Sequence, residues 1–235
     1  TFAPSGVQHP GPTFRRVRTG DVLTASSVTS WRKNTLMPAA VRGRASVAIA
    51  GLVLGSAAIA ASPSAIAAPS TTILISEVYG GGGNSGAPFT NDFVELHNIS
   101  TAAVDLKDWT LKYYSSSTGN TGGTCTIGSG SIAPGGFFLV QLAESTNGVA
   151  LPTPDSSCSS PNLSGTTGSV ELANPAGVVD LVGYGAATDA NAGKFRFETA
   201  PAPGTSNTTS TARKDPKVDT DNNSADFASG APTPK

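Results

Sequence analysis

Residues 71–98, TTILISEVYGGGGNSGAPFTNDFVELHN, set two alternating apolar runs on either side of a glycine cluster, and their reading decides the fold. In the first run Ile73, Ile75, Glu77 and Tyr79 share one face, with Leu74, Ser76 and Val78 on the other. In the second, Val94 and Leu96 oppose Phe93, Glu95 and His97. A period of two identifies half-buried strands. Four consecutive glycines before the acids Asp92 and Glu95 invite a phosphate-cradle reading. That reading fails on its own chemistry. A phosphate loop of the Walker type needs a Lys after its last glycine, and a dinucleotide fingerprint needs a helix there. Here Pro88 and the strand-like FVELHN follow. The glycines read as a flexible crossing between two strands, since Gly adopts positive φ without steric cost.

The same pattern continues downstream. WTLKYY (109–114) is a strand candidate, and IAPGGFFLVQLA (132–143) is a turn feeding a buried strand. SVELANPAGVVDLVGYG (169–185) reads as a hairpin around Asn174–Gly177. STARK (210–214) reads as a last strand and DTDNNSADF (219–227) as a closing loop. STGNTGGTCTIGSGS (117–131) reads as a long mobile loop. Short strands at even spacing, with turn residues between them, predict an all-β antiparallel sandwich.

Residues 1–36 show no sustained period and read as an upstream or disordered segment. From Met37, the suspected translation start, Arg42 and Arg44 precede the apolar run SVAIAGLVLGSAAIAA and a small-residue cleavage pattern at Ala65-Ile66-Ala67. Residues 37–67 are therefore expected to be a signal peptide, with an uncleaved anchor as the alternative, and residues 68–235 the exported domain. The expected location is extracellular, with no membrane attachment after cleavage. The exported part carries eight basic and fifteen acidic residues, a net charge near −7. Such a surface repels polyphosphate, so no nucleic-acid binding is expected. Cys125 and Cys158 are expected to pair as one disulfide, two buried thiols being the alternative.

Catalytic constellations are weak. Glu77, Asp92 and Glu95 flank one loop, and Glu77 and Glu95 suit neighbouring strands. Paired carboxylates serve glycosidases, but such sites need an aromatic-lined cleft, and Trp109 is the only tryptophan after residue 67. These acids are read as structural, with a weak hydrolase or a calcium role as alternatives. His97 is the single imidazole of the exported part, and there is no G-x-S-x-G elbow. No catalytic residue and no cofactor-binding residue is assigned. The sharpest local motif is Asp219-x-Asp221-x-Asn223, which resembles the opening of a calcium loop. Ser224 and Gly230 stand where an EF-hand needs Gly and Glu. Two readings stay open: a calcium site of another type, or an Asx-turn network folding the chain back on the sandwich. Calcium is the one candidate cofactor.

Taken in order, ISEVYGGGGNSGAPFTNDFVELHN, VDLKDWTL, IAPGGFFLVQ, VDLVGYG, SNTTSTARK and DTDNNSADFASGAPTP resemble the bacterial secreted branch of the lamin tail domain family over roughly residues 72–234. The resemblance implies an immunoglobulin-like β-sandwich without catalytic residues. It implies a secreted, non-catalytic module binding a surface, polymer or extracellular partner protein, in an oligomeric state the sequence does not define. The alternative is an accessory N-terminal domain of a longer extracellular nuclease or phosphatase.

Overall fold

Strand β1 (Ile73–Tyr79) pairs antiparallel with β2 (Asn91–Asn98), and its register slips once, between Ile75 and Glu77. Ser76 is the bulged residue. A bulge inverts the side-chain parity beyond it. Ile73 and Ile75 enter the main core, and after the bulge Val78 does so in place of Glu77. The face assignment expected from strict alternation therefore holds only up to Ile75. Glu77 and Glu95 become register partners on the outer face.

The computed structural model describes residues 68–186 and 194–235. The expected upstream segment (1–36) and signal peptide (37–67) lie outside the described residues. Further strands are β3 (Val104–Asp105), β4 (Trp109–Tyr114), β5 (Thr121–Ile127), β6 (Ser131–Ile132), β7 (Phe137–Glu144) and β8 (Ser156–Ser157). They continue with β9 (Gly168–Asn174), β10 (Gly177–Tyr184), β11 (Ser210–Arg213) and β12 (Phe227–Gly230), the last preceded by a single helical turn, α1 (Asn223–Asp226). One sheet runs β12-β11-β1-β2-β7-β8 and the other β10-β9-β4-β5, with β3-β6 as a small satellite pair. All pairings are antiparallel except β7 with β8. The two sheets form an immunoglobulin-like β-sandwich.

The core lies between them. Ile73, Ile75, Val94, Leu96, Val140 and Phe227 from one sheet meet Leu111, Ile127, Val170, Leu172, Val182 and Tyr184 from the other. Each large apolar side chain so buried stabilises the fold by roughly 1.5–3 kcal/mol relative to exposure. A second cluster, Tyr79, Phe93, Leu139 and Leu151, sits on the outer face of the six-stranded sheet, with Phe89 packed against it. That face is covered by loops, which is why every residue of β1 and β2 is buried.

One expected loop is a strand. Thr121–Ile127 pairs along β4 as the edge of the smaller sheet, so the expected mobile loop at 117–131 is corrected. Only Cys125 and Ile127 of that strand reach the core, and its exposed Thr and Gly residues hide the period. The expected closing loop at 219–227 holds α1 and ends at Phe227, where β12 (Phe227–Gly230) begins on the edge of the larger sheet. Cys125 and Cys158 form the disulfide, 33 residues apart. A loop of that length closed in the unfolded chain is worth about 3–4 kcal/mol in the chain-entropy account.

The glycine cluster is not a flexible crossing. Gly80, Gly81 and Gly83 are buried, and only Asn84–Gly86 form an exposed tip. A Cβ on Gly80 would lie 2.3 Å from the Ser164 carbonyl oxygen, and one on Gly82 2.0 Å from the Asn91 carbonyl carbon. Three chain segments meet here at backbone contact distance, and only glycine leaves room for them.

Candidate functional site

The acids beside the glycine cluster are all engaged by the fold. Asp92 is buried and accepts the backbone N–H of Gly82 (2.9 Å) and of Leu163 (2.8 Å), tying two loops to the start of β2. Glu77 accepts the N–H and the hydroxyl of Thr233, each at 2.9 Å. Glu95 accepts the Ser76 hydroxyl (3.2 Å) and the Lys235 N–H (3.0 Å), and burial raises its pKa. His97 donates from Nδ1 to the Pro216 carbonyl (2.7 Å), and its ring stacks on Phe137 at 4.3 Å between centroids. Glu77, Glu95, Phe137, Pro216, Thr233 and Lys235 line a groove of about 350 Å³ on the outer face. The two glutamates are thus neighbours on paired strands, but backbone and hydroxyl donors already hold them.

Burial pushes the Asp92 carboxyl up to about 7, against the pull of its two backbone donors. Among the described residues no cation pairs with it. Tyr79 and Tyr113 are the polar side chains whose titration it perturbs from nearby, together with the buried Tyr184. The native state therefore binds this proton more tightly than the unfolded chain. The associated stability is full below about pH 4 and is lost as pH rises through 7. Wild-type unfolding free energy is expected to fall over that window by up to about 4 kcal/mol from this group. In Asp92→Asn the amide NH₂ faces a backbone donor, a cost of roughly 1–3 kcal/mol. Its penalty relative to wild type is expected to shrink steadily between pH 4.5 and 8 in urea-unfolding series; a constant difference would contradict the assignment.

A second, denser group sits where β1 and β11 of the larger sheet meet β10 of the smaller. Arg213 is fully buried. Its Nη2 donates to both oxygens of Asp180 (3.2 and 3.0 Å), and Nη1 donates to Asp226 (3.2 Å) and to the Val218 carbonyl (2.9 Å). Asp219 lies 3.6 Å from Nη1. The pair also finishes the β1 ladder: Asp180 accepts the Ile75 N–H (2.7 Å) and Arg213 Nε donates to the Ile75 carbonyl (2.9 Å). Burial pushes Asp180 up to about 6, with Arg213 opposing it. Asp226 also accepts the N–H and hydroxyl of Thr220, at 2.9 and 2.7 Å. Glu198, buried beside this group, is pushed up to about 9 by desolvation and then by Asp180 and Asp219.

These strands and loops can be set beside known proteins. A family model described as the lamin tail domain matches residues 66–186, more than half of the 235-residue chain. The chain belongs to the lamin tail domain family. No curated protein matches it. Eleven solved chains do. One of them is a DUF4876 family protein from Bacteroides thetaiotaomicron, 11% identical, with a TM-score of 0.49 over 68% of this chain and 71% of that one.

The family match ends at residue 186, so Glu198, Arg213 and the 219–226 segment of this lamin tail domain lie beyond it. Within that segment the Asp219-x-Asp221-x-Asn223 motif does not act as one ligand set. The Asn223 side-chain Oδ1 accepts from Gly183 N–H (2.9 Å) and Glu198 N–H (3.1 Å). Its amide nitrogen donates to the Leu181 carbonyl and to Glu198 Oε2, both at 2.9 Å. All four hydrogen-bonding positions are filled, so Asn223 is a cross-strut. Asp219 and Asp221 do lie in the acid cluster, with Asp219 Oδ1 accepting the Asp221 N–H at 3.2 Å. Asp180, Glu198 and Arg213 were missed in the sequence. The available signal was Asp180 itself, a lone carboxylate inside the apolar run VVDLV, which demands a buried partner.

Proposed function

We propose that this lamin tail module is exported and non-catalytic, and that it binds a surface, polymer or extracellular partner protein. One observation carries the reading. Glu77, Asp92, Glu95 and His97, the side chains nearest the family signature, are all held by structural hydrogen bonds, the two glutamates that line the groove included. Catalysis would need a free acid or base within hydrogen-bond reach of a substrate. The acidic balance of residues 68–235 directs the choice of partner away from nucleic acid.

The test has two arms. The purified chain, Glu77→Gln and Glu95→Gln are assayed against nucleotide, phosphate-ester and glycoside substrates, and all three are expected at background. Turnover by the wild type that disappears in a folded Glu95→Gln variant would overturn the non-catalytic reading. Sedimentation with isolated cell-envelope polymer is expected to carry the protein down. An in-frame enzyme domain following Lys235 in the gene would recast the module as the accessory part of a longer enzyme.

A further inference from the structure

Three carboxylates, Asp180, Asp219 and Asp226, contact the guanidinium of Arg213, and two more, Glu198 and Asp221, lie near those acids. Arg213 forms ion pairs with Asp180, Asp219 and Asp226, and among the described residues no other cation pairs with any of the five. Lys214, the nearest basic residue in sequence, instead donates to the Ala225 carbonyl (2.7 Å).

Two carboxylate oxygens of the cluster have no hydrogen-bond partner. Glu198 has no exposed surface, and its Oε1 has no hydrogen-bond partner. Asp221 Oδ1 is likewise buried and unpartnered, on a backbone held at φ 52°. One carboxylate oxygen from each of Asp180, Glu198 and Asp219 lies within 4.8 Å of the others. That spread suits a Ca²⁺ ion, whose oxygen ligands stand about 2.3–2.6 Å from the metal and so up to about 5 Å from each other. The geometry is also fixed in advance. Glu198 is latched to Asn223 through Glu198 N–H to Oδ1 (3.1 Å), Asn223 N–H to the Glu198 carbonyl (3.2 Å) and Nδ2 to Oε2 (2.9 Å). Those bonds leave Oε1 as the free oxygen. Asp219 Oδ2 accepts the Ser70 N–H at 2.7 Å, which anchors the other side.

We propose that Glu198, Asp219 and Asp221 form a Ca²⁺ site that clamps the 194–201 segment and the 215–222 loop onto the seam of the sandwich. Asp180 borders the site, its two oxygens already accepting from Ile75 N–H, Leu181 N–H and Arg213. The site differs from the Asp219-x-Asp221-x-Asn223 motif in its members: Asn223 positions Glu198, and Glu198, distant in sequence, supplies the unpartnered oxygen. The inference does not depend on export or on the nature of the binding partner.

The experiment is a calcium titration of the purified chain by thermal unfolding and by isothermal calorimetry, with EDTA reversal. The Tm is expected to rise by about 5–10 °C at calcium a hundredfold above the dissociation constant, with one equivalent bound and a smaller response to Mg²⁺. Glu198→Gln is isosteric and keeps an amide where the carboxylate was; it and Asp221→Asn are expected to fold and to lose the response. No Tm shift and no bound calcium at about 10 mM, well above the range of extracellular calcium modules, would overturn the proposal. So would an undiminished response in Glu198→Gln. The wild-type titration decides the matter even if a variant fails to fold.

Discussion

Arg213→Met is expected to lower the unfolding free energy by about 3–5 kcal/mol, the range for breaking a buried ion pair from one side. The substitution keeps the volume of the side-chain stem but strands Asp180, which has no exposed surface, without its counter-ion. It also removes the donors to the buried Ile75 carbonyl and to the carbonyl of the exposed Val218, and the loss of the first falls inside the seam. A buried acceptor costs roughly 1–3 kcal/mol when left unsatisfied. Arg213→Lys keeps the charge but cannot reproduce the fork onto Asp180, Asp226 and the two carbonyls, so an intermediate loss is expected. A double-mutant cycle in urea separates charge from packing. Adding Asp180→Asn to Arg213→Met removes the stranded carboxylate, and the double variant is expected to lose less than the sum of the two single changes. Strict additivity would show that Arg213 acts through its other contacts, such as the guanidinium over the Phe227 ring (4.6 Å to the centroid), rather than through the pair.

That network also marks the boundary of what the sequence makes legible. The pairing of TTILISEVY with NDFVELHN is visible as two period-two runs, and the hairpin at Asn174–Gly177 is visible in its turn residues. These are local signals. What escapes a sequence reading is non-local. The Ser76 bulge reverses the faces of Glu77 and Val78, and nothing in S-E-V announces it. Strand β5 is an edge with solvent on much of its surface, so Thr and Gly replace the alternation that would identify it. Asp180, Glu198 and Asp219 lie on separate segments, and only the sandwich closure brings their oxygens together. The D-x-D-x-N spacing named Asn223, whose amide is committed to Gly183, Leu181 and Glu198. Spacing along a chain reports which groups are near in sequence, and Asp180 and Glu198, which meet Asp219 in space, are not.

The glycine cluster gives the second large expected effect, because the difference between a flexible crossing and a packed junction is measurable. Gly82→Ala is expected to destabilise the protein by about 3–5 kcal/mol, above the usual cost of an added methyl in a core. The new Cβ would lie 2.0 Å from the Asn91 carbonyl carbon and 2.2 Å from the Asp92 amide nitrogen. Both are backbone atoms of β2, so no side-chain rotation relieves the contact. The β1–β2 crossing must move, and with it the Gly82 N–H that donates to Asp92. Gly86→Ala is the control. Gly86 has φ +79° and nothing within 4 Å of an added Cβ, so the substitution carries only the left-handed backbone cost, roughly 1–2 kcal/mol. A flexible loop would tolerate alanine at Gly82 and object most at Gly86. A packed junction reverses that order, and urea unfolding of the two variants reads it directly. Loss of the Gly82 donor should also raise the pH at which Asp92 ionises. Gly82→Ala should therefore keep its Asp92-linked stability change but shift it above the window near pH 7 expected for the wild type.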